Sequence, residues 1–239
     1  MTSKIKKVTH KYAWELTLAR MDHAAVTGQA MIERPFWYEN IETGQEYYDL
    51  YGCVGWPTEA TDTSKGMPGY VAVIGVVKSN RPIQEAWFRL MAEAESEYIH
   101  VLFDSMVKMR EEYGFGLHPG LMQTYFGDPD KHLTRLALYN EKLVEKDGPE
   151  GAILIAPPDE FYDSDPFENY RRSFETAIVS TPERFAFGGN SILKTKHRQY
   201  RVGDPAVYAV GGLIHSLLTR TTWMDQAREN AFNVEEQDV

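Results

Sequence analysis

The spacing of apolar and polar positions divides the chain into strand-like runs in its first half and strand–helix alternation in its second. Tyr47–Val54 and Tyr70–Val77 are rich in aromatic and β-branched residues and flanked by glycines, which predicts two strands. Between them, Trp56–Gly69 holds Pro57, Lys65-Gly66 and Pro68-Gly69 and reads as a long loop. The aromatic cluster Phe36–Tyr38, after Pro35, fits a short strand or a docking loop. Ile83–Met91 fits either a third strand or a helix. Residues 8–26 read as helical on a rough apolar stripe of Tyr12, Leu16, Ala19 and Val26.

Further along, Glu97–Tyr113 carries the strongest helical period, with Ile99, Leu102, Phe103, Met106 and Tyr113 on one side and Gly114 where a helix commonly ends. Leu121–Phe126 predicts a strand running into Gly127-Asp128-Pro129-Asp130. A helix over 130–145 follows, with Leu133, Leu136, Ala137 and Tyr139 on its apolar side. Ala152–Ala156 predicts a short buried strand closed by Pro157-Pro158, and Arg184–Phe187 fits another. Asp165-Pro166 pairs an N-cap with an N1 proline and predicts a helix through Tyr170, Phe174 and Ile178. Asp204-Pro205 repeats that signature before Ala206–Leu218. Gly211-Gly212 inside this last helix costs about 1 kcal/mol each relative to alanine, so close approach to a sheet or another helix is expected there.

Antiparallel strands followed by βα alternation predict an α/β fold, a mixed sheet flanked by helices. With no repeat and no linker, the chain divides into one main domain over 46–220, an N-terminal helical or extended arm over 1–45, and an acidic tail over 221–239.

Composition narrows the function classes. Hydrophobic residues make up 43% of the 239, enough for a packed core and too many for a disordered chain. A single cysteine, Cys53, excludes an internal disulfide framework and a multi-cysteine zinc site. No apolar run approaches the ~20 residues of a membrane span, and no apolar stretch follows the lysine-rich N-terminus as in a secretory signal. The expectation is a soluble, cytoplasmic protein with no membrane partner. A formal charge of −10 argues against a protein that coats nucleic acid. Position changes that picture: Arg184, Lys194, Lys196, Arg198 and Arg201 fall in one window without any Asp or Glu, leaving −15 for the rest. Such a stripe suits a phosphate backbone and suits a solvated surface equally.

Phosphate-loop, dinucleotide, nucleophile-elbow and metalloprotease motifs are all absent. The seven histidines are scattered, and nothing marks an activating base for Cys53. Carboxylates remain. Asp128 follows a strand at the edge where open α/β sheets collect their sites, and a carboxylate there can ligate Mg²⁺ or Mn²⁺. It can equally cap the helix behind it. Asp204 has the same two readings. Asp49, Glu59 and Asp62 are further candidates to complete a carboxylate cluster, or are solvated charge.

Taken in order, Tyr51–Pro57, Gly69–Val77, the helix Glu97–Tyr113, the strand ending in Gly127-Asp128-Pro129 and Val202-Gly203-Asp204-Pro205-Ala206 resemble the nuclease domain of the large subunit of tailed-phage terminases, an RNase H-like fold. In that family one Asp comes from the first strand of an antiparallel sheet, a second from a strand after a helix, and a third acid from the start of a late helix. Together they hold the metals for phosphodiester cleavage. The resemblance implies Mg²⁺ or Mn²⁺, with Asp128 as second acid and Asp204 as third. Gly55-Trp56-Pro57 stands where the first Asp belongs, so Asp49, Glu59 or Asp62 would have to replace it. Arg184, Lys194, Lys196, Arg198 and Arg201 would hold the DNA.

Two functions follow from the resemblance. One is metal-dependent cleavage of DNA. The other is a non-catalytic terminase-like module in phage or mobile-element assembly that binds DNA or a packaging or assembly protein. A generic α/β protein with a small-molecule pocket is a third reading.

Overall fold

The computed structural model describes residues 4–9, 36–60, 65–78, 87–113, 122–124, 129–153, 166–180, 182–196 and 203–219. At its centre is a strand of nine residues, Gly-Tyr-Val-Ala-Val-Ile-Gly-Val-Val, all but the last of them buried. A run of this kind has no polar face, so it is stable only with a layer packed on each side.

The strands, in chain order, are β1 (Ile5–Thr9), β2 (Phe36–Asn40), β3 (Glu46–Gly55), β4 (Gly69–Val77), β5 (Phe88–Ser96), β6 (Met122–Thr124) and β7 (Phe185–Ala186). Among the described residues they form one mixed sheet in the order β1-β2-β3-β4-β5-β7, with β6 also on β3. The pairs β1–β2, β2–β3, β3–β4 and β4–β5 are antiparallel, whereas β6 runs parallel to β3 and β7 parallel to β5. β2 and β6 share the same edge of β3, one at its start and one at its end, Cys53–Gly55. The β2–β3 turn is fixed by Asn40, whose Oδ1 accepts from the amides of Glu42 and Thr43 at 3.0 Å each. Gly44 closes it with φ 67°, a value that favours glycine.

Among the described residues five α-helices flank the sheet: α1 (Ile99–Tyr113), α2 (Pro129–Asp147), α3 (Pro166–Phe174), α4 (Ile192–Lys196) and α5 (Pro205–Thr219). On one face, Leu50, Val54, Trp56, Val71 and Val73 meet Leu102, Phe103 and Met106 of α1 and Leu136 of α2. Trp56 stacks edge-on against Phe103, with ring centroids 6.2 Å apart. On the other face, Cys53, Tyr70, Ala72, Ile74, Phe88 and Leu90 pack against Phe174, Leu193 and the apolar side of α5. Gly211 lies against α3, where a Cβ would stand 2.2 Å from the carbonyl oxygen of Tyr170. That close crossing explains the glycine pair.

Two β-bulges interrupt the alternation, one in β3 between Tyr47 and Asp49 and one in β5 opposite the Val73–Ile74 step. Leu90 pairs with Ile74 and Ala92 with Val73, so Met91 is the extra residue.

The mixed α/β architecture predicted from the pattern is the one observed, with differences in particular elements. Ile83–Met91 resolves into β5 from Phe88 onward, and residues 79–86 lie outside the described set. Of the expected arm, Ile5–Thr9 and Phe36–Asn40 are strands of the sheet itself; the helix expected over 8–26 has its first two residues in β1, and residues 10–35 lie outside the described set. Ala152 and Ile153 are not in a strand. The Ala152 carbonyl accepts from Arg110, and Ile153 is bonded in both directions to the Asn140 amide, so no ladder partner is needed. The α3 helix continues as a wider π-helical turn over Glu175–Ser180. No helix among the described residues is long and apolar enough to cross a membrane.

Candidate functional site

Four backbones end together on the α5 side of the sheet. Glu95 of β5 is opposite Tyr70 of β4, Tyr70 opposite Gly55 of β3, and Gly55 opposite Thr124 of β6. This row is one end of the sheet, where strands terminate, and the first turn of α5 lies over Gly55 in it. A Cβ at position 55 would stand 2.2 Å from the Pro205 carbonyl oxygen, so the glycine is required by the approach of the α5 backbone.

The β5 bulge decides which side chains join the row. In a regular strand, Glu93 and Glu95 would fall on the face opposite Leu90. The extra residue Met91 reverses the parity, so both carboxylates share the face of Phe88 and Leu90. Glu93 is then surrounded by donors. Tyr70 donates its hydroxyl to Oε2 at 2.7 Å, and the amides of Ile192 and Leu193 donate to the two carboxylate oxygens at 2.7 and 3.0 Å. Glu93 thus takes the first two amides of α4, and Ser191 Oγ accepts from the third, that of Lys194, at 3.1 Å. Burial, together with the Glu93 charge, holds the Tyr70 hydroxyl well above its ordinary ionisation range, so it remains a neutral donor.

Two residues along β5, Glu95 pairs with the ammonium of Lys196 at the far end of α4. The same ammonium reaches Asp204 Oδ1 at 3.1 Å. Asp204 is only 6% exposed, and its Oδ1 also accepts from the Ala206 amide at 3.0 Å, capping α5. Glu95, Asp204 and Lys196 therefore form a partly buried triad of two negative charges around one positive charge. The group is compact because its members share desolvation, and removing one would leave a buried charge uncompensated.

The residues singled out from sequence fall in different places. Asp204 is in the triad as an N-cap. Lys196, expected on the basic stripe, is turned into the same triad and satisfied there. Lys194 is exposed on α4. Arg184 sits in a 3₁₀ turn leading into β7, which pairs with the first residues of β5, so it lies at the opposite end of that strand from Glu95. Asp49 is opposite Val76, six residues up β3 from the Gly55–Tyr70 pair, or about 20 Å at strand rise. Glu59 is exposed in the segment beyond β3, where the Met67 amide donates to Thr58 Oγ1 and the Thr58 amide to the Met67 carbonyl. Asp62, Asp128, Arg198 and Arg201 lie outside the described residues. Cys53 is fully buried, and burial pushes its thiol up, away from a nucleophilic thiolate.

Glu93, Glu95 and Tyr70 are the participants that the sequence reading missed. Their signal is the alternation Ala92-Glu93-Ala94-Glu95, which puts two carboxylates on one side of any strand.

The metal set that the resemblance implies is not assembled among the described residues, since Asp128 and Asp62 lie outside them. Glu95 and Asp204 offer hard oxygen ligands, but Lys196 occupies the point where they converge. No group of three or more His, Cys, Asp or Glu side chains arranged to hold a metal occurs among the described residues. The position of the family's first acid is closed as well. Gly55 is sealed by Pro205, and the fully buried Trp56 packs into the core on the α1 side.

Comparison with family models, with curated proteins and with solved structures finds no match to this chain.

Proposed function

We propose that this chain is a non-catalytic, terminase-like module that acts by binding in phage or mobile-element assembly, with DNA or a packaging or assembly protein as its partner. The observation that carries the reading is the Lys196 ammonium between Glu95 and Asp204. A resident cation there neutralises Asp204, the third acid by the resemblance, together with Glu95, an acid to which the resemblance gives no metal role. The sealing of Gly55 supports it, since a first-strand carboxylate there would need the α5 backbone to move. The order of antiparallel strands, helix, β6 and late capped helix agrees with the RNase H-like arrangement from which the reading starts.

The second reading, Mg²⁺- or Mn²⁺-dependent cleavage of DNA, is favoured by one specific observation. Glu95 and Asp204 do converge, and they do so at the same end of the sheet as the last residue of β6, Thr124, four positions before Asp128 in the chain.

The test is supercoiled-plasmid nicking with Mn²⁺, run beside a mobility-shift assay on duplex DNA at low salt and a pull-down against candidate assembly proteins. The binding reading expects no nicking above a metal-free control and a retained complex with DNA or protein. A DNA complex should weaken steeply with salt and with Lys194→Ala. Nicking that Asp204→Asn abolishes would overturn it in favour of the nuclease.

A further inference from the structure

We propose that α4 is a latch over the functional end of the sheet, and that Lys196 makes it open together with the first turn of α5. The inference rests on the reading of that sheet end as the working edge of the module.

The latch is tied to β5 at both ends. Of its five residues only Leu193 is buried. Its start is tied to β5 by the Glu93 carboxylate and its end by Lys196 on Glu95. A cavity of about 480 Å³ runs along it, lined by Gly189, Asn190, Ser191, Ile192, Lys194 and Thr195, while Ile192 and Leu193 pack on the α5-side core. Added side chains at Gly188 and Gly189, just before it, would meet no atom within 4 Å, which leaves the approach to the helix unobstructed.

Coupling comes from the two acceptors of Lys196 being on different elements. Glu95 belongs to β5, and Asp204 is the cap of α5. When α4 lifts, the ammonium leaves with it, and Glu95 and Asp204 face one another as like charges. The cap is then destabilised, and with it the turn that seals Gly55. Lifting α4 also removes the amide donors that share Glu93 with Tyr70, so the row Glu95–Tyr70–Gly55–Thr124 is uncovered as a unit.

Amide hydrogen exchange on the full chain reads this directly. In the wild type the amides of Ile192, Leu193 and Ala206 should exchange through one shared opening, with protection agreeing within about threefold. Lys196→Met should raise exchange at all three by about tenfold or more, while the Val73 and Ile74 amides of β4 stay unchanged. Lys196→Arg, which keeps the charge, should stay close to wild type. Faster exchange at α4 alone, with Ala206 unmoved, would overturn the coupling. If Lys196→Met does not fold, unequal protection of Ile192 and Ala206 in the wild type overturns it equally well. These rates involve no partner, so a failed binding assay counts against the proposed function and leaves the latch standing.

Discussion

Gly55 shows how one missing side chain can set a site. The approach of Pro205 to 2.2 Å from the position of a Cβ brings the cap of α5 down onto the sheet, and so brings Asp204 within reach of Lys196. Gly55→Ala should therefore destabilise the fold by about 1–3 kcal/mol, because the obstacle is backbone rather than a side chain that can rotate away. Urea unfolding followed by tryptophan fluorescence checks this. An unchanged midpoint would mean that α5 moves aside without cost. The same substitution should loosen the Lys196–Asp204 pair, since the capped turn is displaced first.

At the scale of elements, α3 carries its own electrostatic signature. Arg171 bridges Glu168 and Glu175, and Arg172 adds a contact to Glu168. The two guanidiniums hold the Glu168 carboxyl at about 2, below its ordinary 4.5. A carboxyl held low in the folded state contributes stability above the unfolded value and loses it as pH falls from about 4.5 towards 2. Glu168→Gln should remove this part of the acid sensitivity. Thermal melts at pH 6 and pH 3 should differ less in the variant than in the wild type. An equal difference would show that these half-buried pairs are still too well solvated to count.

Legibility from sequence also varied by element, for identifiable reasons. β3 and β4 were legible as runs of aromatic and β-branched residues bounded by glycines, α1 by its helical period and α5 by its Asp-Pro start. β5 was ambiguous because of its bulge. Leu90, Ala92 and Ala94 have the parity of a single face in the sequence, yet Leu90 lies on the α5 side while Ala92 and Ala94 pack on the α1 side. The same break hid Glu93 and Glu95. β1, Ile-Lys-Lys-Val-Thr, is too polar to announce itself and becomes a strand through pairing with β2. Asp204 was visible as a cap from its proline neighbour. Its partner Glu95 lies more than a hundred residues earlier, and no local pattern connects them.

For the molecule as a whole, the chain's first described strand closes one edge of the sheet. β1 covers β2 along five residue pairs, and the Lys4 amide donates to the Glu112 carbonyl of α1 at 2.7 Å. Deleting residues 1–9 should expose the ladder groups of β2 and the side of Ile5's pocket in the α1-side core, lowering the unfolding midpoint and promoting association through the open edge. Size-exclusion chromatography and urea titration of the truncated chain would show both effects. A truncated monomer of unchanged stability would mean that β1 is only laid on the sheet. Charge is likewise arranged on the scale of the molecule. Arg184 and Lys194 lie towards opposite ends of β5, so a nucleic acid touching both would have to follow that strand for its whole length.

The contact between Gly55 and Pro205 also limits how this chain can change by mutation. An aspartate introduced at position 55 meets the carbonyl oxygen of α5 before it meets any ion, and removing Lys196 first leaves Glu95 and Asp204 in mutual repulsion. Each of these two substitutions is thus penalised in stability on its own. Moving α5 outward has to come first, which makes the packing of Gly55, Pro205 and Lys196 a local optimum that only several coordinated substitutions can leave.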